Sequence, residues 1–476
     1  METPANPAPE AHPPFPRSFW TANTTELFER AAYYAIASFV VIYLGRLGLG
    51  SYWPSVLNGS VLWFLVYFLP ILSGTIADQV GFRRALLVAF VLLLLGYAAM
   101  GLPVWLGWTA LSPDIGEDFT APGMVVASVV VGIVLIGLGG SVIKPCISGT
   151  VQKTAGRRAT LAFAIFYMVI NIGSLTGRFI SYVMRTEFDL SMIFAVGAGF
   201  SVVAFFVVLL VYRDPERELA ASGAALPPPK PKKSVGRILT DMVLVLRNLR
   251  FTLFLLASTG FFFLYSQVYN VLPLYWKKVM ETDPAVDIYT TANPFVIVFF
   301  QLLVTRLFGK LKPIRSIIIG IVIIAVAWLI NLGPIFLAAS GPRAPLDLWG
   351  AVLPIGSLVA VITVGLIAFG ELFTSARTYE YIGALAPKGQ EGLFLGYANL
   401  PMAFGALAGG PIGAYIFHGV MCEGATKLPS GLLELVPAQN AKGWIILMGI
   451  GVCSALGMWA YNFWLKRQIA RDQAQV

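Results

Sequence analysis

Charge is what this chain has least of. Only 12% of its 476 residues are Asp, Glu, Lys or Arg, and 57% are hydrophobic. Soluble domains carry about 25% charged residues. A water-soluble fold of this size could not hide so much apolar surface, so the bilayer must be the solvent for most of it. Histidine and cysteine are nearly as scarce, at two and three. Cys146, Cys422 and Cys453 form no CxxC pair or Cys/His cluster, which argues against a disulfide framework and a zinc site. His12 and His418 fall in the tail and at a helix end, and neither supports catalysis. No enzymatic constellation and no cofactor motif is present. The net charge of +9 is spread over short segments between apolar stretches. Nucleic-acid binding would need a clustered basic surface. The first 17 residues are polar and Pro-rich, without the apolar core of a signal peptide, so the first span is expected to serve as the insertion signal.

What the chain has is long apolar runs. A spanning helix needs about 20 mostly apolar residues. Twelve stretches qualify: 26–47, 53–76, 85–106, 124–148, 159–182, 191–212, 251–276, 289–309, 315–340, 351–378, 393–418 and 441–465. An even number puts both termini on one side. That side carries 21 Lys and Arg and the opposite side 6, a bias that makes the termini cytoplasmic. The predicted organisation is a tail (1–17), a six-helix bundle (18–212), a cytoplasmic linker (213–250), a second six-helix bundle (251–466) and a tail (467–476). The linker contains the stiff basic run Pro227–Lys233. After it, Val235–Leu249 has the mix of an amphipathic helix lying on the membrane.

This is an all-α integral membrane architecture with the layout of the major facilitator superfamily, whose substrate site lies at midplane between the halves. Gly74-Thr-Ile-Ala-Asp78-Gln-Val-Gly81-Phe-Arg83-Arg84 has the form of that superfamily's loop motif between spans two and three. Its glycines allow a tight turn, and Asp78, Arg83 and Arg84 can tie helix ends together as a gate.

A charge at the bilayer centre costs about 2.5–3.5 kcal/mol on insertion scales and usually faces a cavity and a partner. Three sets occur here. Glu26, Glu29, Arg30, Tyr33 and Tyr34 share one face of the first helix. Glu26 can pair with Arg30 at i,i+4, and two carboxylates around one guanidinium suit proton exchange with anion binding. The bland reading of Glu26 is a helix end at the surface. Lys144, beside the kinking Pro145, needs a carboxylate; the bland reading is a lysine snorkelling from a helix end. Glu371, well inside the tenth span, is the natural counter-charge from the other half. Arg377 and Glu380 follow it as a structural or gating pair. Cations on one half and an anion on the other suit a zwitterion.

The residues around these charges resemble the proton-dependent oligopeptide transporter family. Glu26-Leu-Phe-Glu29-Arg30-Ala-Ala-Tyr33-Tyr34 is similar to its ExxERFxYY signature, and Gly137-Leu-Gly139 through Lys144-Pro145 to its fourth-helix motif. Phe166-Tyr167-Met-Val-Ile170-Asn171-Ile-Gly173-Ser174 is similar to its FYxxINxGS motif. Asn293-Pro294 and Gly370-Glu371-Leu-Phe-Thr-Ser375 also match. The resemblance runs in order from about residue 20 to 410. It implies proton-coupled uptake of di- and tripeptides or peptide-like zwitterions, with protons as coupling ion and no cofactor. It implies proton coupling by Glu26, Glu29 and Arg30. The peptide carboxylate would be held by Arg30 and Lys144, and the amino group by Glu371. Tyr33, Tyr34, Tyr67, Asn171, Gln267, Asn293 and Ser375 would line the pocket. The partners implied are a small substrate and the bilayer of a bacterial inner membrane, without an obligatory protein partner.

Four departures mark the chain as divergent. The signature Phe is Ala31. The seventh-helix glutamate expected before Gln267 is Ser266, which removes the usual gate partner of Lys144. The aromatic expected in span eleven falls near Ala398, with Tyr397 one place away. The polar linker has no room for the extra helix pair of bacterial members, and the loop at 341–350 is too short for the animal extracellular domain. Two other functions fit the same fold: an exporter or exchanger of another organic ion or drug, and a non-transporting receptor.

Overall fold

The computed structural model describes residues 14–115, 120–221, 234–338, 341–348, 350–385 and 397–474. The basic run Pro227–Lys233, Lys388, His12 and the first residues assigned to span eleven lie outside them.

Eleven helices are long and apolar enough to cross a membrane, and one bent pair makes a twelfth. In order they are Arg17–Ala37 with Val40–Arg46, Trp53–Val80, Phe82–Trp105, Gly123–Thr154, Leu161–Glu187, Met192–Glu218, Leu249–Met280, Val286–Phe308, Pro313–Phe336, Ile355–Ile382, Leu400–Met421 and Pro437–Arg471. They form two six-helix halves and the chain is a multi-pass membrane protein. Phe295, Phe299 and Leu302 form one exposed apolar face of the eighth span, and a contiguous face of this kind suits lipid tails rather than water.

Most spans run a few residues beyond the predicted stretches, and two of the differences have a clear physical cause. The first helix begins at Arg17, not at residue 26. Its opening turns look polar, yet their side chains bond back to their own helix. Thr21, Asn23 and Thr25 donate to the carbonyls of Arg17, Phe19 and Thr21 at 2.8–2.9 Å, so the polarity that hydropathy counts is already satisfied. Glu218, from the end of the first half, accepts the backbone N–H groups of Arg17 (2.9 Å) and Ser18 (2.8 Å). It thereby caps donors that a helix start leaves unpaired. The tenth span begins at Ile355 rather than 351, because Ala351–Pro354 pairs with Pro345–Leu348 as a hairpin. The amphipathic helix of the linker is present at Val235–Leu246, capped by Ser234.

Close helix contacts follow from glycine. Gly173 and Gly177 of the fifth span lie against the backbone of the first. A Cβ on either would meet Leu27 O at 2.6 Å or Ala31 O at 2.2 Å. This small-xxx-small spacing is how membrane helices approach without a hydrophobic drive between them. Across the halves, Gly59 of the second span meets Gly410 of the eleventh, and a Cβ on Gly59 would lie 2.8 Å from the Gly410 backbone. Gly59 sits in a π-helical turn, Leu57–Trp63.

Polar contacts between the halves gather at the end opposite the termini. Ser38 and Thr290 hydroxyls are 2.8 Å apart, where the first span bends by 47°. Asn58 Nδ2 donates to Tyr269 O (3.2 Å) and Asn270 Oδ1 (3.1 Å). Ser60 donates to Leu407 O at 2.6 Å. Arg185 grips Asp287 at 2.9 and 3.1 Å and reaches Asp283 at 3.4 Å. Lys427 pairs with Asp114 at 2.9 Å. That end of the bundle is shut.

Candidate functional site

Because the first helix starts at Arg17, Glu26 lies in its interior rather than at its end. The glutamate is 1% exposed, Glu29 2% and Arg30 12%. Arg30 pairs with Glu26 at 3.4 Å and with Glu29. One guanidinium holds two buried carboxylates. Glu26 Oε2 has no hydrogen-bond partner among the described residues, and a buried charged acceptor left open is costly. The Arg30 guanidinium carbon lies 5.3 Å from the Tyr33 ring, whose centroid is 5.3 Å from that of Tyr34.

Lys144 is half-buried on the helix Gly123–Thr154. At 1.5 Å per residue it stands about 15 Å from the helix end, too far for a lysine to snorkel there. Among the described residues it makes no ion pair within 4.0 Å, so pairing with Glu26, Glu29 or Glu371 is not seen in this conformation. Glu371 instead accepts from Asn293 Nδ2 and Ser375 Oγ, both at 3.4 Å. These three residues, expected to line the pocket from the second half, are brought together. Tyr67 packs edge-on against Trp63 at 5.7 Å. Asn171 is buried and donates to Tyr167 O at 2.8 Å.

Gln267 and Ser266 are not brought to this cluster. Gln267 Nε2 donates to Gly409 O at 3.2 Å, and Ser266 Oγ to Phe263 O at 2.7 Å. A Cβ on Gly409 would meet Ser266 Oγ at 2.2 Å, and one on Gly413 would meet Gln267 Oε1 at 2.2 Å. The bare face of the eleventh span leaves room for both side chains, so they pack inside the second half. Tyr397 is buried edge-on against Phe251 at 6.1 Å.

The loop motif ties helix ends within the first half. Gly81 turns with φ 91°, a conformation that favours glycine. The Arg83 N–H donates to Asp214 at 2.9 Å and its guanidinium to Leu209 O at 2.7 Å. Asp78 lies 3.9 Å from Lys153, which also pairs with Glu216 at 2.7 Å. Gly74 rests on Pro145: a Cβ there would come 3.1 Å from the ring. Arg84 is exposed. Arg377 pairs with Glu380 at 2.5 Å and donates to Gly309 O at 2.6 Å.

Four residues of this region escaped the sequence reading. Trp63, Tyr265 and Tyr269 build a ring cluster beside Tyr67, with Trp63 and Tyr269 centroids 5.0 Å apart. Arg178 is fully buried. An arginine inside an apolar run was the available signal for it.

Twelve membrane spans in two halves, each half carrying charged residues inside its spans, define a membrane transporter. The Major Facilitator Superfamily profile matches residues 119–379, just over half of the chain, and the chain belongs to that superfamily. Within it, the likeness is to the peptide-transporter branch that the motifs resemble, at a divergent distance. Dipeptide and tripeptide permease A of Citrobacter koseri is 24% identical over 494 residues, covering 93% of this chain and 90% of the permease. An uncharacterized MFS-type transporter of Mycobacterium tuberculosis is 25% identical over 352 residues, 72% of each chain. The crystal structure of a peptide transporter, POT, in complex with sulfate superposes with a TM-score of 0.70 at 19% identity, covering 95% of both chains.

Proposed function

We propose that this transporter is a proton-coupled symporter that imports di- and tripeptides or peptide-like zwitterions by alternating access. In this reading it sits in a bacterial inner membrane with both termini cytoplasmic. The observation that carries it is the buried group of Glu26, Glu29 and Arg30 on one half, with Glu371 held by Asn293 and Ser375 on the other. The similarity to a dipeptide and tripeptide permease over nearly the whole chain supports the substrate class.

The roles follow from the chemistry. Glu26 and Glu29 share Arg30. A proton arriving on either carboxylate weakens its hold on the guanidinium. Arg30 is then free to take the substrate carboxylate together with Lys144, whose ammonium has no protein anion of its own within 4.0 Å among the described residues. Glu371 receives the substrate amino group. Tyr33, Tyr34, Tyr67, Asn171, Asn293 and Ser375 surround it. Asp78, Arg83 and Arg84 serve as the gate at the end that bears the termini. Binding energy realised in only one of two conformations shifts the halves.

The deciding measurement is uptake of a radiolabelled dipeptide into proteoliposomes with and without an inward proton gradient. Accumulation above equilibrium only with the gradient is expected. Equal uptake in both conditions rules out the coupling, and no uptake of any dipeptide rules out the substrate class.

A further inference from the structure

Arg178 is the largest buried charge that the mechanism above leaves unused. It lies on the fifth span and none of its surface is exposed. Buried arginines ordinarily face a carboxylate. Among the described residues no carboxylate lies within 4.0 Å of this guanidinium. Its partners are all neutral. Nε donates to Thr290 Oγ1 at 3.1 Å and Nη2 to the Tyr269 hydroxyl at 3.2 Å, while Nη1 donates to Ser174. The guanidinium carbon stands 4.5 Å from the Tyr34 ring centroid. Thr290 and Tyr269 belong to the second half, whereas Arg178, Ser174 and Tyr34 belong to the first.

Two features place Arg178 on the substrate path. Asn171, Ser174 and Arg178 are spaced by three and four residues and so share one helix face. Arg30 and Arg178 also flank the same aromatic pair, Arg30 on Tyr33 and Arg178 on Tyr34. Alternating access requires the shut end to open. When it does, Thr290 and Tyr269 move away with the second half and Arg178 keeps only its own half's hydroxyl and ring. The guanidinium then faces an opened cavity with no acid of the chain beside it. The position where the resemblance predicted a seventh-helix carboxylate is Ser266, which bonds within its own helix.

We propose that Arg178 is the receptor for a second anionic group on the substrate, so that the transporter favours acidic di- and tripeptides or dicarboxylate peptide-like compounds over neutral ones. The inference rests on the reading that the site takes peptides. Arg30 and Lys144 hold the main-chain carboxylate in that reading, and Arg178 takes the side-chain carboxylate through its planar fork. Closure then exchanges that carboxylate for the Thr290 and Tyr269 hydroxyls, which returns the anion to the cavity for release.

The test compares alanyl-glutamate with alanyl-alanine as competitors of proton-driven dipeptide uptake in proteoliposomes. Wild-type protein is expected to prefer alanyl-glutamate by at least about tenfold, the factor of one charge-assisted hydrogen bond. Arg178→Gln is expected to bring the ratio of the two inhibition constants close to one. Arg178→Lys, which keeps the charge without the fork, is expected to retain part of the preference. A wild type that takes both peptides equally overturns the proposal, as does an Arg178→Gln protein that still prefers alanyl-glutamate. If Arg178→Gln does not fold, the wild-type ratio and Arg178→Lys decide. Failure of both peptides to compete overturns the peptide reading itself, a different result from competition without preference.

Discussion

Glu26 and Glu29 are the residues on which coupling turns. Each is almost fully buried, and both lean on the same Arg30. A glutamine keeps the shape of a protonated glutamate and cannot release a proton. Glu26→Gln and Glu29→Gln are each expected to abolish gradient-driven accumulation in proteoliposomes while some counterflow persists. Undiminished accumulation in both variants would remove these carboxylates from the coupling step. The cluster was legible in the sequence because its face repeats at helical spacing and because charge is rare enough here to stand out. Its depth was not. Hydropathy counts the hydroxyls and amide of residues 21–25 as polar, whereas the helix has already hydrogen-bonded them to itself. Gln267 shows the converse: it stands next to a motif position yet is turned into Gly409 and Gly413 by packing.

At the scale of the helix, the contact of the first and fifth spans positions the site. It depends on Gly173 and Gly177, which let the fifth span touch the backbone that carries Arg30 and Ala31. Adding a methyl group at Gly177 would put it 2.2 Å from Ala31 O, a contact that backbone cannot yield without moving the helix. Gly177→Ala is expected to destabilise the protein by about 1–3 kcal/mol, the usual range for overpacking, and to weaken uptake through displacement of Arg30. Gly199→Ala, where nothing lies within 4 Å of the added atom, is the matched control and is expected to be tolerated. Thermal unfolding in detergent reads both. A Gly177→Ala protein as stable as the Gly199→Ala protein would mean that the two helices can separate freely.

For the molecule as a whole, the shut end is held by few strong contacts. Arg185 is 5% exposed and Asp287 1%, and the pair joins the fifth span of one half to the eighth of the other. Removing one partner of a buried ion pair costs about 3–5 kcal/mol, and the loss is smaller here because Arg185 keeps Asp283 at 3.4 Å. Because the pair exists only while this end is closed, that loss falls on one state of the transporter. Asp287→Asn is expected to shift the protein toward the state open at this end. Spin labels at the tips of the fifth and eighth spans would report it as a longer distance. Unchanged distances would show that Ser38, Asn58 and the Gly59–Gly410 contact suffice to hold the end shut.

The amino-acid sequence by itself determined that this is a membrane protein of twelve spans in two halves, and which helix faces carry charge. Both follow from local chemistry, since a bilayer demands long apolar runs and makes each interior charge conspicuous. The family resemblance, not local chemistry, supplied most of the other candidate site residues. Only the tertiary structure decided which charges meet. Glu371 joins Asn293 and Ser375, Lys144 makes no ion pair among the described residues, and Arg178 is buried between the halves on hydroxyls and the Tyr34 ring. Ser375 is one turn from Glu371 on the same helix, but Asn293, Thr290 and Tyr269 come from spans far from the residues they meet, and their approach is set by helix packing rather than by local spacing.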